Sequence, residues 1–178
     1  MNHHDMTRNM VLAALFAALT AIGAFLQIPT GTVPITLQFL FTALAGLLLG
    51  WKWGAVSQLL YVGIGLLGLP VFTQGGGIGY VLQPSFGFLL GLIGALTARR
   101  TGYLTVLAAV LVGDLILYAV GVPYMYLILH VYMQSAKTFP ALLAAMLVYV
   151  PGDTLKIVVV TALAPVLRRT LAKAVPNL

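Results

Sequence analysis

Apolar residues run along this chain in long stretches bounded by charge or by glycine and proline. The stretches place spans at about residues 8 to 27, 35 to 50, 54 to 69, 85 to 99, 103 to 120 and 139 to 168. A bilayer crossing takes about 20 apolar residues, so some of these are short and the last is long. The pattern predicts an all-α integral membrane bundle of six transmembrane helices. The apolar segment from Pro123 to about Met133 is too short to cross and is predicted as a short extra helix, interfacial or re-entrant, between helices five and six. Its Tyr124, Tyr126 and Tyr132 suit the headgroup level. The chain shows neither heptads nor a low-complexity tract, and no inverted repeat stands out.

Composition agrees. Of 178 residues 61% are hydrophobic and 7% charged, with a mean hydropathy of +1.07, against about 25% charged residues in a soluble domain. No soluble surface can be built from that, and the length fits one membrane domain over residues 1–178. The net charge of +6 does not point to nucleic acid, because the nine Lys and Arg residues are scattered and form no basic stripe. It reflects topology. Arg8, Lys52, Arg99, Arg100, Arg168, Arg169 and Lys173 fall on one side of the predicted helices, while the connections opposite carry only Lys137. The positive-inside rule then puts both termini in the cytoplasm. The first apolar run is as long as a spanning helix and is read as retained rather than cleaved. The sequence has no cysteine, and no GxxxxGK[ST] loop for hydrolysing ATP.

One cation remains, Lys156, inside the sixth span and three residues after Asp153. A charge at membrane depth costs at least about 2.5 to 3.5 kcal/mol, so such residues face a polar cavity or a partner. At i and i+3 the two share a helix face. Either they neutralise each other or they form a ligand site, and Pro151 and Gly152 before them favour the site. Proline removes an amide, so the helix should kink there and line a cavity. A lysine can bind a carboxylate and an aspartate can accept from N–H donors, which suits a small molecule with an acid at one end and amide-like nitrogens at the other. Asp114 is a second buried acid, a link between helices five and six or a further ligand contact.

Gln38, near the outer mouth, is a candidate for ligand contact or for helix-to-helix bonding, whereas Gln58 is read as a link between helices. The uncharged connection LPVFTQGGGIGYVLQPSFGF holds four glycines within residues 75 to 79, and Gly76 and Gly77 at its middle let backbone approach a ligand closely. It reads as a lid. Tyr80 and Gln83 beside it are further candidates. Ala13, Ala17 and Ala21 repeat a small residue every fourth position on the first helix, a face for a membrane partner or for packing within the bundle. His3, His4 and His130 lack metal-ligand spacing, so no metal is assigned. The chain has no glutamate, and Ser57, Ser85 and Ser135 lie in no GxSG setting, so an intramembrane hydrolase is unsupported.

Taken in order, VPITLQ at 33–38, LAGLLLG at 44–50, SQLLYVGIGLLGLPVF at 57–72, the glycine loop followed by Pro84, GDLILYAVGVP at 113–123 and PGDTLK at 151–156 resemble the BioY family. These are the biotin-specific S components, the substrate-capture subunits, of energy-coupling factor (ECF) transporters. The resemblance implies six membrane helices and a biotin pocket in the outer half closed by the first and third loops, with no enzymatic activity and no cofactor. The acid and lysine of the family's PGD-x-x-K motif map onto Asp153 and Lys156 as biotin contacts. The alanine-rich first helix, mapped onto Ala13, Ala17 and Ala21, is the face that docks a transmembrane coupling subunit, and two cytoplasmic ATPase subunits complete the importer in the cell membrane. Where the family often has a PTGGY-like sequence, this chain has Pro84, Ser85, Phe86, Gly87 and Phe88, which reshapes the pocket wall. An S component for another small vitamin or organic acid, or a self-sufficient transporter, are the alternatives.

Overall fold

The structure is a computed structural model, and it describes residues 3–30, 33–94 and 102–174. The chain opens with α1 (His3–Phe25) and a two-stranded antiparallel hairpin, β1 (Gln27–Ile28) and β2 (Ile35–Thr36), in which Gln27 faces Thr36 and Ile28 faces Ile35. Next come α2 (Gln38–Leu49) and α3 (Trp51–Leu66), then a long connection holding a 3₁₀ turn at Ile78–Leu82. After α4 (Phe86–Gly94), α5 runs over Tyr103–Leu127 and widens into a π turn at Ile128–Tyr132. The short α6 (Phe139–Ala145), a 3₁₀ turn at Met146–Val148 and α7 (Val150–Ala174) finish the fold.

A single residue, Gly50, separates α2 from α3. Its N–H donates to Gly46 O at 3.0 Å to close one helix, and its carbonyl accepts from Gly54 N at 2.9 Å to open the next. This reversal needs φ of 84°, a value glycine adopts without penalty. Small residues also set helix spacing. A Cβ on Gly91 of α4 would lie 2.9 Å from Leu117 O, so only glycine lets α4 lie this close to α5.

The molecule is apolar outside and carries a few polar groups within an apolar core. Val11, Leu15, Ile22, Leu104, Leu115 and Leu155 are exposed, a surface suited to lipid. Inside, Thr20, Thr42, Ser57 and Gln58 are fully buried. Gln58 accepts from Thr42 at 2.9 Å and donates to Thr20 at 3.2 Å, joining α1, α2 and α3 as its predicted linking role requires. Around them Phe16, Leu47, Tyr61, Phe72, Val106 and Val160 form the main core.

Three expectations are corrected. The segment from Pro123 is not a separate interfacial or re-entrant helix: Pro123 lies inside α5, which continues to the π turn. The missing amide is tolerated because Val122, Met125 and Leu129 pack in a second core with Leu142 and Met146. The sixth span is two helices rather than one long kinked helix, and the break precedes Pro151, which occupies the first turn of α7 where its lost N–H costs nothing. The alanine stripe faces inward, with Ala13 and Ala17 only 1% and 5% exposed and Ala21 partly buried against the core. The small residues that α1 turns outward are Ala14 and Ala18.

Of the seven basic residues assigned to one side, Arg99 and Arg100 lie outside the described residues. Three helical stretches among the described residues are long and apolar enough to cross a bilayer: Asp5–Phe25, Tyr103–Tyr132 and Val150–Thr170.

Candidate ligand-binding site

The start of α7 positions the charged pair. Asp153 N donates to Tyr149 O at 2.9 Å, so the helix is established by the time Asp153 is reached, and an acid in the first turn is favoured by the helix dipole. One turn on, Lys156 points the same way, with Nζ 2.5 Å from Asp153 Oδ1. Both are buried, 7% and 6% exposed. The long lysine stem does not carry its ammonium to the headgroups. From α5, Tyr118 donates its hydroxyl to Asp153 Oδ2, so each carboxylate oxygen has a partner from a different direction. Desolvating a charged pair is tolerated when hydrogen bonds of this kind complete it.

The pair faces a cavity of about 600 Å³ of atom-free space, part of it open to solvent. Val33, Phe39, Phe88, Leu89, Leu92 and Leu117 make its walls largely apolar. Two further polar groups are set into them. In one, Thr73 and Tyr80 hydroxyls lie 2.8 Å apart and Tyr80 and Ser85 hydroxyls 3.2 Å apart, a chain joining the glycine loop to the start of α4. In the other, Thr36 donates to Gln38 Oε1 at 2.9 Å, Gln38 Nε2 donates to Tyr61 Oη at 2.8 Å, and Tyr61 donates to Val71 O at 3.1 Å. Tyr149 also faces the cavity. Its hydroxyl donates to Val33 O and lies 3.0 Å from Thr30 Oγ1, pinning the hairpin connection over the site.

Four of the predicted site residues, Gln38, Tyr80, Asp153 and Lys156, line this cavity, whereas Asp114, Gly76, Gly77 and Gln83 do not. Asp114 sits one turn before Tyr118 on α5, and its buried Oδ1 has no hydrogen-bond partner among the described residues. Gly76 and Gly77 pack on α3 rather than into the cavity: a Cβ on Gly76 would meet Leu69 O at 2.1 Å, and Gly77 N donates to Gly65 O at 2.7 Å. Gln83 N caps the 3₁₀ turn on Tyr80 O at 3.0 Å.

Sequence reading missed Tyr118, Tyr149 and Thr73, and named Ser85 only as part of the altered pocket wall. Two had a signal. Tyr149 stands four residues before Asp153, and Tyr118 four after Asp114, spacings that share a helix face.

The BioY family profile matches residues 1–173. The chain belongs to the BioY family. A probable biotin transporter BioY of Lysinibacillus sphaericus is 53% identical over 143 residues, covering 75% of this chain and 72% of the relative. The biotin transporter BioY of Thermotoga maritima is 35% identical over 164 residues, covering 88% and 94%. In three dimensions the chain is similar to the crystal structure of the S-component for biotin from an ECF-type ABC transporter, with a TM-score of 0.82, 27% identity and 95% of each chain covered. The family is one of transporters, and this member is not an enzyme. The BioY resemblance drawn from the motifs therefore holds over nearly the whole chain.

Proposed function

We propose that this BioY member captures biotin at the outer face of the cytoplasmic membrane, as the substrate-binding subunit of an ATP-driven ECF importer. The observation that carries the reading is the buried Lys156–Asp153 pair facing a mostly apolar cavity that is open to solvent on one side. At 2.5 Å apart the two charges cannot hold opposite ends of an extended ligand. They offer a donor and an acceptor side by side. A cyclic urea matches them along one edge, its C=O accepting from Lys156 and its N–H donating to Asp153. The apolar walls then take the fused thioether ring and alkyl chain. The ligand's carboxylate accepts from the Thr73–Tyr80–Ser85 hydroxyls, while Gln38 is a further polar contact. Asp114 acts on the pair from behind Tyr118, and Gly76, Gly77 and Gln83 hold the lid in shape.

Titration of the purified chain with biotin tests this. Saturable one-to-one binding that excess thiamine or riboflavin does not compete is expected; binding of another vitamin with no binding of biotin would overturn it.

The chain crosses the bilayer six times in this account, through α1, α2, α3, α4, α5 and the α6–α7 pair, with both termini cytoplasmic. At 12 residues α2 is about 18 Å long, short of the about 30 Å hydrocarbon core. Its outer end gives way to the hairpin connection, and irregular backbone is tolerated at that depth where it lines a cavity. Because the sequence lacks cysteine, single replacements report topology directly. Ile78→Cys should react with an impermeant maleimide on intact cells, and Lys52→Cys only after permeabilisation; the reverse would refute the orientation. The exposed Ala14 and Ala18 on α1, flanked by Leu15 and Ile22, form the face for the transmembrane coupling subunit, to which the two cytoplasmic ATPase subunits attach.

A further inference from the structure

Beside the main cavity lies another, of about 670 Å³ with part of it open to solvent, between Thr30, α5 and α6. Thr30, Met125, Lys137, Leu142, Met146 and Tyr149 are among its walls. Met146 and Tyr149 also line the main cavity, so these two side chains are the partition between the chambers. The partition is fastened by the Tyr149 hydroxyl, bonded to Val33 O and Thr30. These are two neutral hydrogen bonds between part-buried groups, each of modest net strength, so the partition can open to let a ligand pass.

Lys137 gives this vestibule its chemistry. It is the sole Lys, Arg, Asp or Glu between Asp114 and Asp153. It is exposed, and neither of the ion pairs among the described residues involves it: Asp5 is held by Arg8 and Asp153 by Lys156. Its ammonium is thus available, on a residue that lines the same cavity as Thr30, Met125 and Leu142. An ammonium above an apolar slot fits an amphiphilic anion, a carboxylate on an alkyl chain.

We infer that this vestibule is an entry subsite, at which Lys137 holds the carboxylate of an incoming ligand before the ligand passes Tyr149 into the main cavity. The inference rests on the proposed capture of biotin from the outer side. Holding is transient, because the ammonium is exposed and its field is screened within about 10 Å at 0.1 M salt. Its effect therefore falls on the association rate rather than on residence.

The test is biotin binding followed by stopped flow, with the full chain in nanodiscs of zwitterionic lipid. In water a unit charge about 6 Å from a carboxylate changes local occupancy by about threefold. Lys137→Gln should lower the association rate by about threefold at low salt and Lys137→Glu by about tenfold, with the dissociation rate unchanged and the difference fading at high salt. Biotinol, the neutral alcohol, should bind all three proteins at one rate. Association of biotin with both variants at the wild-type rate would overturn the inference, as would equal slowing of biotinol. Failure of the wild-type chain to bind biotin would instead bring down the capture reading itself, so the two failures are distinct.

Discussion

Replacing Lys156 with methionine should weaken biotin binding by more than about a hundredfold, or about 3 kcal/mol. The substitution keeps the length of the stem and removes only the ammonium, so the cavity stays close to its present shape. What changes is the charge balance. Asp153 would remain buried with Tyr118 as its one side-chain partner, and truncating one half of a buried, hydrogen-bonded pair costs about 2 to 5 kcal/mol in binding and about 3 to 5 kcal/mol in stability. The two effects separate in the double variant Asp153→Asn with Lys156→Met. That protein no longer holds half of the pair, so its thermal unfolding midpoint should recover most of the loss while its biotin affinity stays lost. A double variant that recovered both would show that the pair is structural and that the ligand sits elsewhere.

The second large effect is expected at the lid. Gly76→Ala should lower biotin affinity at least tenfold, chiefly through faster dissociation, and should lower the unfolding midpoint by several degrees. A methyl group there would lie 2.1 Å from Leu69 O and 2.9 Å from Gly65 O. Both obstacles are backbone, so the loop must move, at an overpacking cost of about 1 to 3 kcal/mol. The movement breaks the Gly77 N to Gly65 O bond and dislodges Phe72, whose ring packs 4.5 Å from that of Tyr80. Tyr80 would then carry the Thr73–Tyr80–Ser85 hydroxyls out of register. Gly79→Ala provides the internal comparison, because its methyl would meet nothing within 4 Å. It should change affinity by less than about twofold. Equal losses at both positions would mean that the lid depends on glycine for flexibility rather than for close packing.

Much of the site was legible in the chain because membranes make charge conspicuous. A lone lysine in an apolar span with an acid three residues before it can be read without a structure, since burial there demands a partner or a cavity. The contacts these residues make far along the chain were not legible. Tyr118 reaches Asp153 from 35 residues away and Thr30 reaches Tyr149 from 119 away, and no local spacing encodes either contact. The division of labour between the two charges also escaped the sequence. Spacing showed that Asp153 and Lys156 share a face, but only the 2.5 Å contact led to the proposal that they act as one recognition edge instead of two separate anchors.

Periodicity has a related blind spot on α1. Ala13 and Ala17 repeat at i and i+4, and so do Ala14 and Ala18, so the pattern of small residues is the same on two faces about 100° apart. Direction is settled by the core, where Phe16 and Ala24 are buried and Leu15 and Ile22 are not. Pro123 misled for a different reason. A local breaker was outweighed by packing on both sides of it, a tertiary effect that propensity cannot weigh.

A structure of the chain bound to biotin is the most direct measurement of where recognition occurs. The account predicts the ureido edge within hydrogen-bonding reach of both Lys156 Nζ and the Asp153 carboxylate, with the tail carboxylate near Tyr80 and Ser85. Biotin seated in the vestibule, with the Lys156–Asp153 pair untouched, would contradict it.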